Sequence, residues 1–124
     1  MIKRIKVAKD FSDVVGHRYR VDGLKSGEEF REDILEPILK DSNVEGIEID
    51  MDDTWGYPSS FLEECFGGLV HKYGKDLIKS KIEIISNQDE SLKERILHSV
   101  KLLLHILASG NARGQIRRHQ IHFW

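Results

Sequence analysis

Residues 47–64, Ile47-Glu48-Ile49-Asp50-Met51-Asp52-Asp53-Thr54-Trp55-Gly56-Tyr57-Pro58-Ser59-Ser60-Phe61-Leu62-Glu63-Glu64, contain the change of period that decides the fold. From Val44 to Met51 apolar and acidic residues alternate, the period of a strand with one buried face. Asp52 and Asp53 end that run, and Trp55-Gly56-Tyr57-Pro58 has the composition of a turn. Phe61, Leu62, Cys65, Phe66, Leu69, Val70 and Tyr73 then recur at helical spacing, so an amphipathic helix opens at Ser59 or Ser60 and stops near Gly74. A strand that passes through a loop into a helix is the unit of an α/β fold, and open sheets of that class bind ligands at the carboxyl ends of their strands.

Working outward, residues 2–8 predict a first strand and Arg18 to Val21 a second. Ser26 stands three before Glu29, a capping box that opens a helix with Phe30, Ile34, Leu35, Ile38 and Leu39 on one face, kinked by Pro37. Lys81 to Ser86 predicts a further strand, and Leu92, Ile96, Leu97, Val100, Leu103, Leu104 and Leu107 mark a last helix that ends near Gly110. The expected architecture is therefore a single α/β domain over residues 1–109, a four-stranded mixed sheet with about three helices packed mainly on one face. A basic and aromatic tail, 110–124, carries Arg113, Arg117, Arg118, His119 and His122 beside Ile121, Phe123 and Trp124. The bland expectation for that tail is a loosely held terminus; the sharper one is an arm that docks on its own domain or on a second subunit in a homodimer.

Composition narrows the function. The chain has 124 residues, 40% of them hydrophobic, enough for one core and too few for two. A net charge of -2 gives no global pull toward nucleic acid or an anionic membrane, so both are disfavoured as partners. One cysteine, Cys65, forbids an internal disulfide, and its place on an apolar helix face reads as a small buried hydrophobe. Residues 1–11 lack an apolar run of signal-peptide length, and no stretch has the length of a membrane span, so the expected compartment is the cytoplasm. Six scattered histidines show no metal-site spacing, and no glycine-rich phosphate loop follows a strand, so neither metal nor cofactor is expected.

Three features near the strand end have chemical readings. Ser60 stands three before Glu63, a second capping box that exposes a hydroxyl at the positive end of a helix dipole, where a phosphate would be well received. Most such caps are only structural. Phe66-Gly67-Gly68-Leu69 puts adjacent glycines inside a helix at a cost of roughly 1 kcal/mol each, so something must approach that face closely: a neighbouring element of the domain, or a docked partner. Asp50-x-Asp52-x-Thr54, with Ser86-Asn87 after the next strand, resembles the first two motifs of haloacid-dehalogenase-type phosphatases. Their later lysine and paired acidic motif for magnesium have no counterpart, since Asp89, Glu90 and Glu94 sit in the first turns of a helix.

Ser26-Gly27-Glu28-Glu29-Phe30-Arg31, a strand with an acidic end, and above all Ser59-Ser60-Phe61-Leu62-Glu63-Glu64-Cys65-Phe66-Gly67-Gly68-Leu69 resemble the STAS-like family of uncharacterised bacterial domains, with Gly16-x-Arg18 as weaker support. The likeness covers about residues 2–105. That family looks related to the anti-sigma-factor antagonists, which bind a histidine-kinase-like ATPase and are switched off by phosphorylation of a serine. Their local run is Asp-Ser-Ser-Gly; the matching run here is Pro58-Ser59-Ser60-Phe61, with the antagonists' serine at Ser60. The resemblance implies a regulatory domain, not an enzyme, whose partner is such an ATPase or a transcription regulator met in trans. Ser60, or else Ser59, is the implied phospho-acceptor; Asp52, Asp53, Thr54, Trp55, Tyr57 and Phe61 are the expected partner-binding residues, although core packing is the ordinary explanation for Phe61. A domain that only dimerises or scaffolds, without a switch, is the rival expectation, and the phosphatase is a weaker third.

Overall fold

A computed structural model describes residues 1–109, with side chains described through His105. The tail expected at 110–124 lies outside these residues. Three strands, β1 (Ile2–Lys6), β2 (Gly46–Asp50) and β3 (Ile82–Ile85), form one sheet in the order β1-β2-β3, and both pairings are parallel. Five helices accompany them. α1 is the single turn Val7–Asp10; α2 spans residues 27–39; α3 spans 59–73; α4 is Lys75–Lys81; α5 is Leu92–Ser109.

The register explains why the sheet has one wet face. Ile5, Ile49 and Ile84 are aligned across it, with Ile47 and Ile82 one step away on the same side. Four of these five isoleucines are buried and Ile84 packs on the core they form with Phe30 and Leu35 of α2, Phe61, Leu62, Phe66 and Leu69 of α3, Ile78 of α4, and Leu92, Ile96, Val100 and Leu104 of α5. The opposite side carries Arg4, Lys6, Glu48, Asp50 and Glu83, where Asp50 takes ion pairs from Arg4 at 3.3 Å and Lys6 at 3.4 Å. Alternation along β2 thus sends Ile47 and Ile49 to the helices and Glu48 and Asp50 to the other face, while Lys3, Ile2 and Ile85 at the strand ends depart from the pattern.

Two expectations are corrected. The sheet has three parallel strands, because Arg18 to Val21 forms no strand: that stretch leads into the 3-10 turn Arg20–Asp22. Val21 is 90% exposed, so the run has no apolar side to bury; the Asp22 carboxylate accepts the Tyr19 N–H at 3.0 Å and closes the turn instead. Among the described residues the helix count rises to five by α1 and α4: α3 ends at Gly74 as expected, but Gly74, with φ of +89°, turns the chain so that α4 begins at the next residue. β1 is also shorter than predicted, since Val7 enters a helical turn and buries itself there.

Both long inner helices contain a wide π segment, Phe30–Leu35 in α2 and Glu63–Gly67 in α3. In α2 the widened turn lies just before Pro37, which lacks an amide and whose ring crowds the carbonyl four residues earlier. α2 and α3 approach so closely that a Cβ on Gly27 would lie 2.6 Å from the Phe61 carbonyl oxygen. The adjacent glycines of α3 are explained inside the domain as well. A Cβ on Gly67 would meet the Leu103 side chain of α5 at 2.6 Å, and one on Gly68 would meet Arg31 Nε of α2 at 2.7 Å. The Phe66-Gly67-Gly68-Leu69 run is an internal seam, with Phe66 and Leu69 buried, and not a contact surface.

Arg31 fills the space that Gly68 leaves. Its guanidinium donates to Glu36 at 2.5 Å, to the Glu64 carboxylate at 2.7 Å and to the Glu64 carbonyl at 3.2 Å. Glu36 also accepts from Lys72 at 2.6 Å and from the Tyr73 hydroxyl at 2.8 Å. Burial pushes the Glu36 carboxyl up, but the bonds from Lys72, Tyr73 and Arg31 outweigh it and hold its pKa below the usual carboxylate value. Glu63, next in the same run, pairs with Arg18, which fixes the loop that replaces the expected second strand.

Candidate functional site

The loop between β2 and α3, residues 51–58, is fixed at several points. The buried Tyr57 hydroxyl donates to the Met51 carbonyl at 2.8 Å, closing the loop on itself. Trp55 N–H donates to the Asp13 carbonyl at 2.9 Å, and Arg95 of α5 donates to the Tyr57 carbonyl at 2.7 Å. Asp52 accepts from the Asn87 and Gln88 amides, each at 3.0 Å, tying the loops after β2 and β3 together. Asp53 has φ of +70°, a conformation that aspartate tolerates better than most residues, and is held there by a reciprocal pair with Gln88 and by Lys6 at 2.9 Å. The Lys6 ammonium, then Gln88, lowers the Asp53 carboxyl below its ordinary value.

This geometry divides the residues singled out from sequence. Trp55 is 85% exposed on a backbone that is pinned at both sides. Thr54 is half-buried and accepts the Gly56 N–H at 3.3 Å, so it shapes the turn. Tyr57 and Phe61, expected among the partner-binding residues, are instead core: Tyr57 is 7% exposed and Phe61 fully buried, each packed ring to ring with the other. Burial also pushes the Tyr57 phenol up to about 12, so it stays a hydrogen-bond donor at ordinary pH. Asp52 and Asp53 stand at the loop's base with their carboxylates engaged, and Asp50 is buried beside Arg4 and Lys6. Asp50 and Asp52, which resembled a phosphatase motif, and Asp53 beside them act here as ties between β1, β2 and the loop after β3. Cys65 is fully buried, and burial raises its thiol pKa, which suits a packing role.

Ser59 and Ser60 stand differently from the capping-box expectation. Pro58 is the N-cap of α3, its carbonyl accepting Phe61 N–H at 3.0 Å and Leu62 N–H at 3.2 Å, while Ser59 and Ser60 are the first two helical residues. The box at Ser60 does not form because Pro58, not Ser60, occupies the N-cap, and Glu63 pairs with Arg18. Ser59 is exposed and Ser60 half-buried. At Ser26 the expected cap does form: its hydroxyl accepts Glu29 N–H at 3.1 Å, although Glu29 turns its carboxylate to Lys25 N–H.

Sequence reasoning missed two neighbours of this loop. Val14, 59% exposed, joins Val15, Trp55, Gly56, Tyr57 and Pro58 around a shallow hollow of about 280 Å³. On the other side, Ser59 faces Ser91, Glu94, Arg95, His98 and Ser99 of α5 and its approach across a cleft of about 270 Å³. The signal for the second was present as a polar stripe at positions 91, 95, 98 and 99, one face of a helix. A larger hollow of about 670 Å³ lies beside the open edge of β3, among Gly46, Lys81, Ile82, Ile84 and Leu97, apart from the loop. No helix of the described residues is long and apolar enough to cross a membrane.

A family model described as a STAS-like domain of unknown function matches residues 26–92, more than half of the chain, from the cap of α2 to the first residue of α5. No curated protein and no solved structure matches. The matched segment contains the buried α2–α3 seam, the β2–α3 loop and both serines, and the chain therefore belongs to the family of STAS-like domains of unknown function.

Proposed function

We propose that this domain is a cytoplasmic regulator that binds a partner protein through the β2–α3 loop and the start of α3, and that phosphorylation of one of the two serines there weakens the complex. The observation that supports it best is Trp55: a large aromatic left 85% exposed on a loop whose backbone is held by Asp13, Met51 and Arg95. An exposed tryptophan on a pre-organised backbone loses little freedom on binding and is the kind of residue that anchors interfaces. Val14 extends the apolar surface beside it, and Ser59 lies close enough in sequence for a phosphate to alter the same surface. The partner class, a histidine-kinase-like ATPase or a transcription regulator, follows from the resemblance to anti-sigma-factor antagonists.

The test is affinity capture from native-host lysate with wild type, Trp55→Ala, Ser59→Asp and Ser60→Asp, read by quantitative mass spectrometry. The reading expects an ATPase or transcription regulator retained by wild type, lost with Trp55→Ala, and reduced by one of the two aspartates by about 1 to 3 kcal/mol of binding. Retention of the same proteins by all four would favour a scaffold without a switch.

A further inference from the structure

We propose that the hollow between Val14 and Trp55 receives one apolar side chain of the partner protein, and that a lysine or arginine flanking that side chain pairs with Asp13. The inference rests on the partner-binding reading of the β2–α3 loop and adds the chemistry of what is bound there.

The hollow, of about 280 Å³, takes its floor from the core and its walls from residues that the core leaves out. Val15 and Tyr57 are buried, whereas Val14 and Trp55 are 59% and 85% exposed. Gly56 keeps the rim open, since a Cβ there would meet no atom within 4 Å. Both walls stand on fixed backbone. The Val14 N–H donates to Ser12 Oγ at 3.1 Å, and the same hydroxyl donates to the Val14 carbonyl at 2.8 Å; the Trp55 N–H is held by the Asp13 carbonyl at 2.9 Å. A guest that covers these two side chains buries apolar area without first ordering the loops that present them.

Size and lining select the guest. Small-molecule pockets occupy roughly 300–1,000 Å³ and carry convergent polar groups. This hollow is smaller, and no buried side-chain nitrogen or oxygen among the described residues lacks a partner to offer a ligand. A single leucine or phenylalanine side chain, the usual kind of interface anchor pocketed by a partner, suits the space.

Charge selects the neighbours of that side chain. On the segments that build the hollow, Arg18 is taken by Glu63, Asp52 by the Asn87 and Gln88 amides, and Asp53 by Lys6 and Gln88. Further along, Arg20 is held by Glu32 and Asp33, and Lys25 lies over the Phe11 ring at 5.1 Å. Asp13 adjoins Val14 and is exposed, and its carboxylate has no partner among the described residues. A cation beside the apolar guest therefore meets an opposite charge, and an anion meets a like one. The same carboxylate opposes burial of this rim in a lipid surface.

The experiment titrates three blocked tripeptides, acetyl-Lys-Phe-Lys-amide, acetyl-Glu-Phe-Glu-amide and acetyl-Lys-Gly-Lys-amide, into the full chain and follows the Val14 methyl and Trp55 indole N–H signals by NMR. Lys-Phe-Lys should shift both signals saturably, Lys-Gly-Lys neither, and Glu-Phe-Glu should bind about fivefold more weakly at low salt. Asp13→Asn, which keeps the carbonyl that holds Trp55, should erase the preference for lysine, and Val14→Ser should weaken both phenylalanine peptides. Equal or reversed affinity of those two peptides, a preference that survives Asp13→Asn, or no saturable shift with Lys-Phe-Lys would overturn the proposal. So would selective broadening of the same signals by phosphatidylcholine vesicles, which would make this surface a lipid contact. None of these probes is the native partner, so the titration can fail while Trp55→Ala still abolishes capture, and the reverse.

Discussion

Between α2 and α3 a guanidinium and two carboxylates are closed off from water, with Arg31 9% and Glu36 3% exposed, whereas at the start of α3 an arginine, a histidine and three serines line an open cleft. The inner group is complete: Arg31 meets Glu36 and Glu64, and Glu36 takes Lys72 and Tyr73 as well. The outer group is open to water: Ser59 is exposed, and Arg95, 40% exposed, holds a loop carbonyl and reaches Asp89 at 3.4 Å. Both regions belong to one helix, α3, so one run of sequence serves two purposes. Its Glu64, Gly67 and Gly68 hold helices together, and its first residue, Ser59, is exposed.

The largest effect should come from breaking the inner group. Arg31→Ala leaves the buried Glu64 without its cation and Glu36 with Lys72 and Tyr73 alone, and should cost about 3 to 5 kcal/mol in a urea melt, with an unchanged midpoint contradicting the packing role. A reversible part of that loss should appear with acid. The folded Glu36 pKa lies below its ordinary 4.5, so its contribution is complete above that value and fades as pH falls through the lower folded one. Melts from pH 7 downward should therefore show declining stability, less steeply in Glu36→Gln. Gly27→Ala sets a methyl 2.6 Å from the Phe61 carbonyl and should cost about 1 to 3 kcal/mol by forcing α2 from α3. Tyr57→Phe strands the Met51 carbonyl and should cost about 1 kcal/mol, measured the same way. Trp55→Ala, at the outer surface, should change stability by less than about 0.5 kcal/mol.

Much of the fold was legible because period and burial coincide. Ile47, Ile49, Phe61, Leu62, Phe66 and Leu69 lie in the core that their spacing implied. The glycine pair correctly signalled close approach, and Arg31 and Leu103 show what approaches. The errors have local causes. Arg18 to Val21 resembles a strand, but Arg18 is claimed by Glu63; Gly74 does end α3 as read, yet a glycine that ends one helix and a glycine that joins two look alike, so α4 was missed. The Ser60 box failed because the helix begins at Ser59 with Pro58 as its N-cap, and Glu63 pairs with Arg18, 45 residues away. Tyr57 was placed outside because a turn tyrosine gives no sign that its hydroxyl will turn inward to Met51. The polar stripe that includes Arg95 and Ser99 was present in the sequence, but only tertiary packing shows that it faces Ser59.

The account's central claim is that partner binding resides at the β2–α3 loop and not at the domain's other exposed apolar side chains. Val21, 90% exposed on the Arg20–Asp22 turn, is the natural control for Trp55. The decisive measurement is the affinity of the captured partner for wild type, Trp55→Ala and Val21→Ala, by calorimetry. The account predicts at least about tenfold weaker binding for Trp55→Ala, roughly 1.4 kcal/mol, with Val21→Ala close to wild type. Equal affinity of Trp55→Ala and wild type, or a loss confined to Val21→Ala, would contradict it.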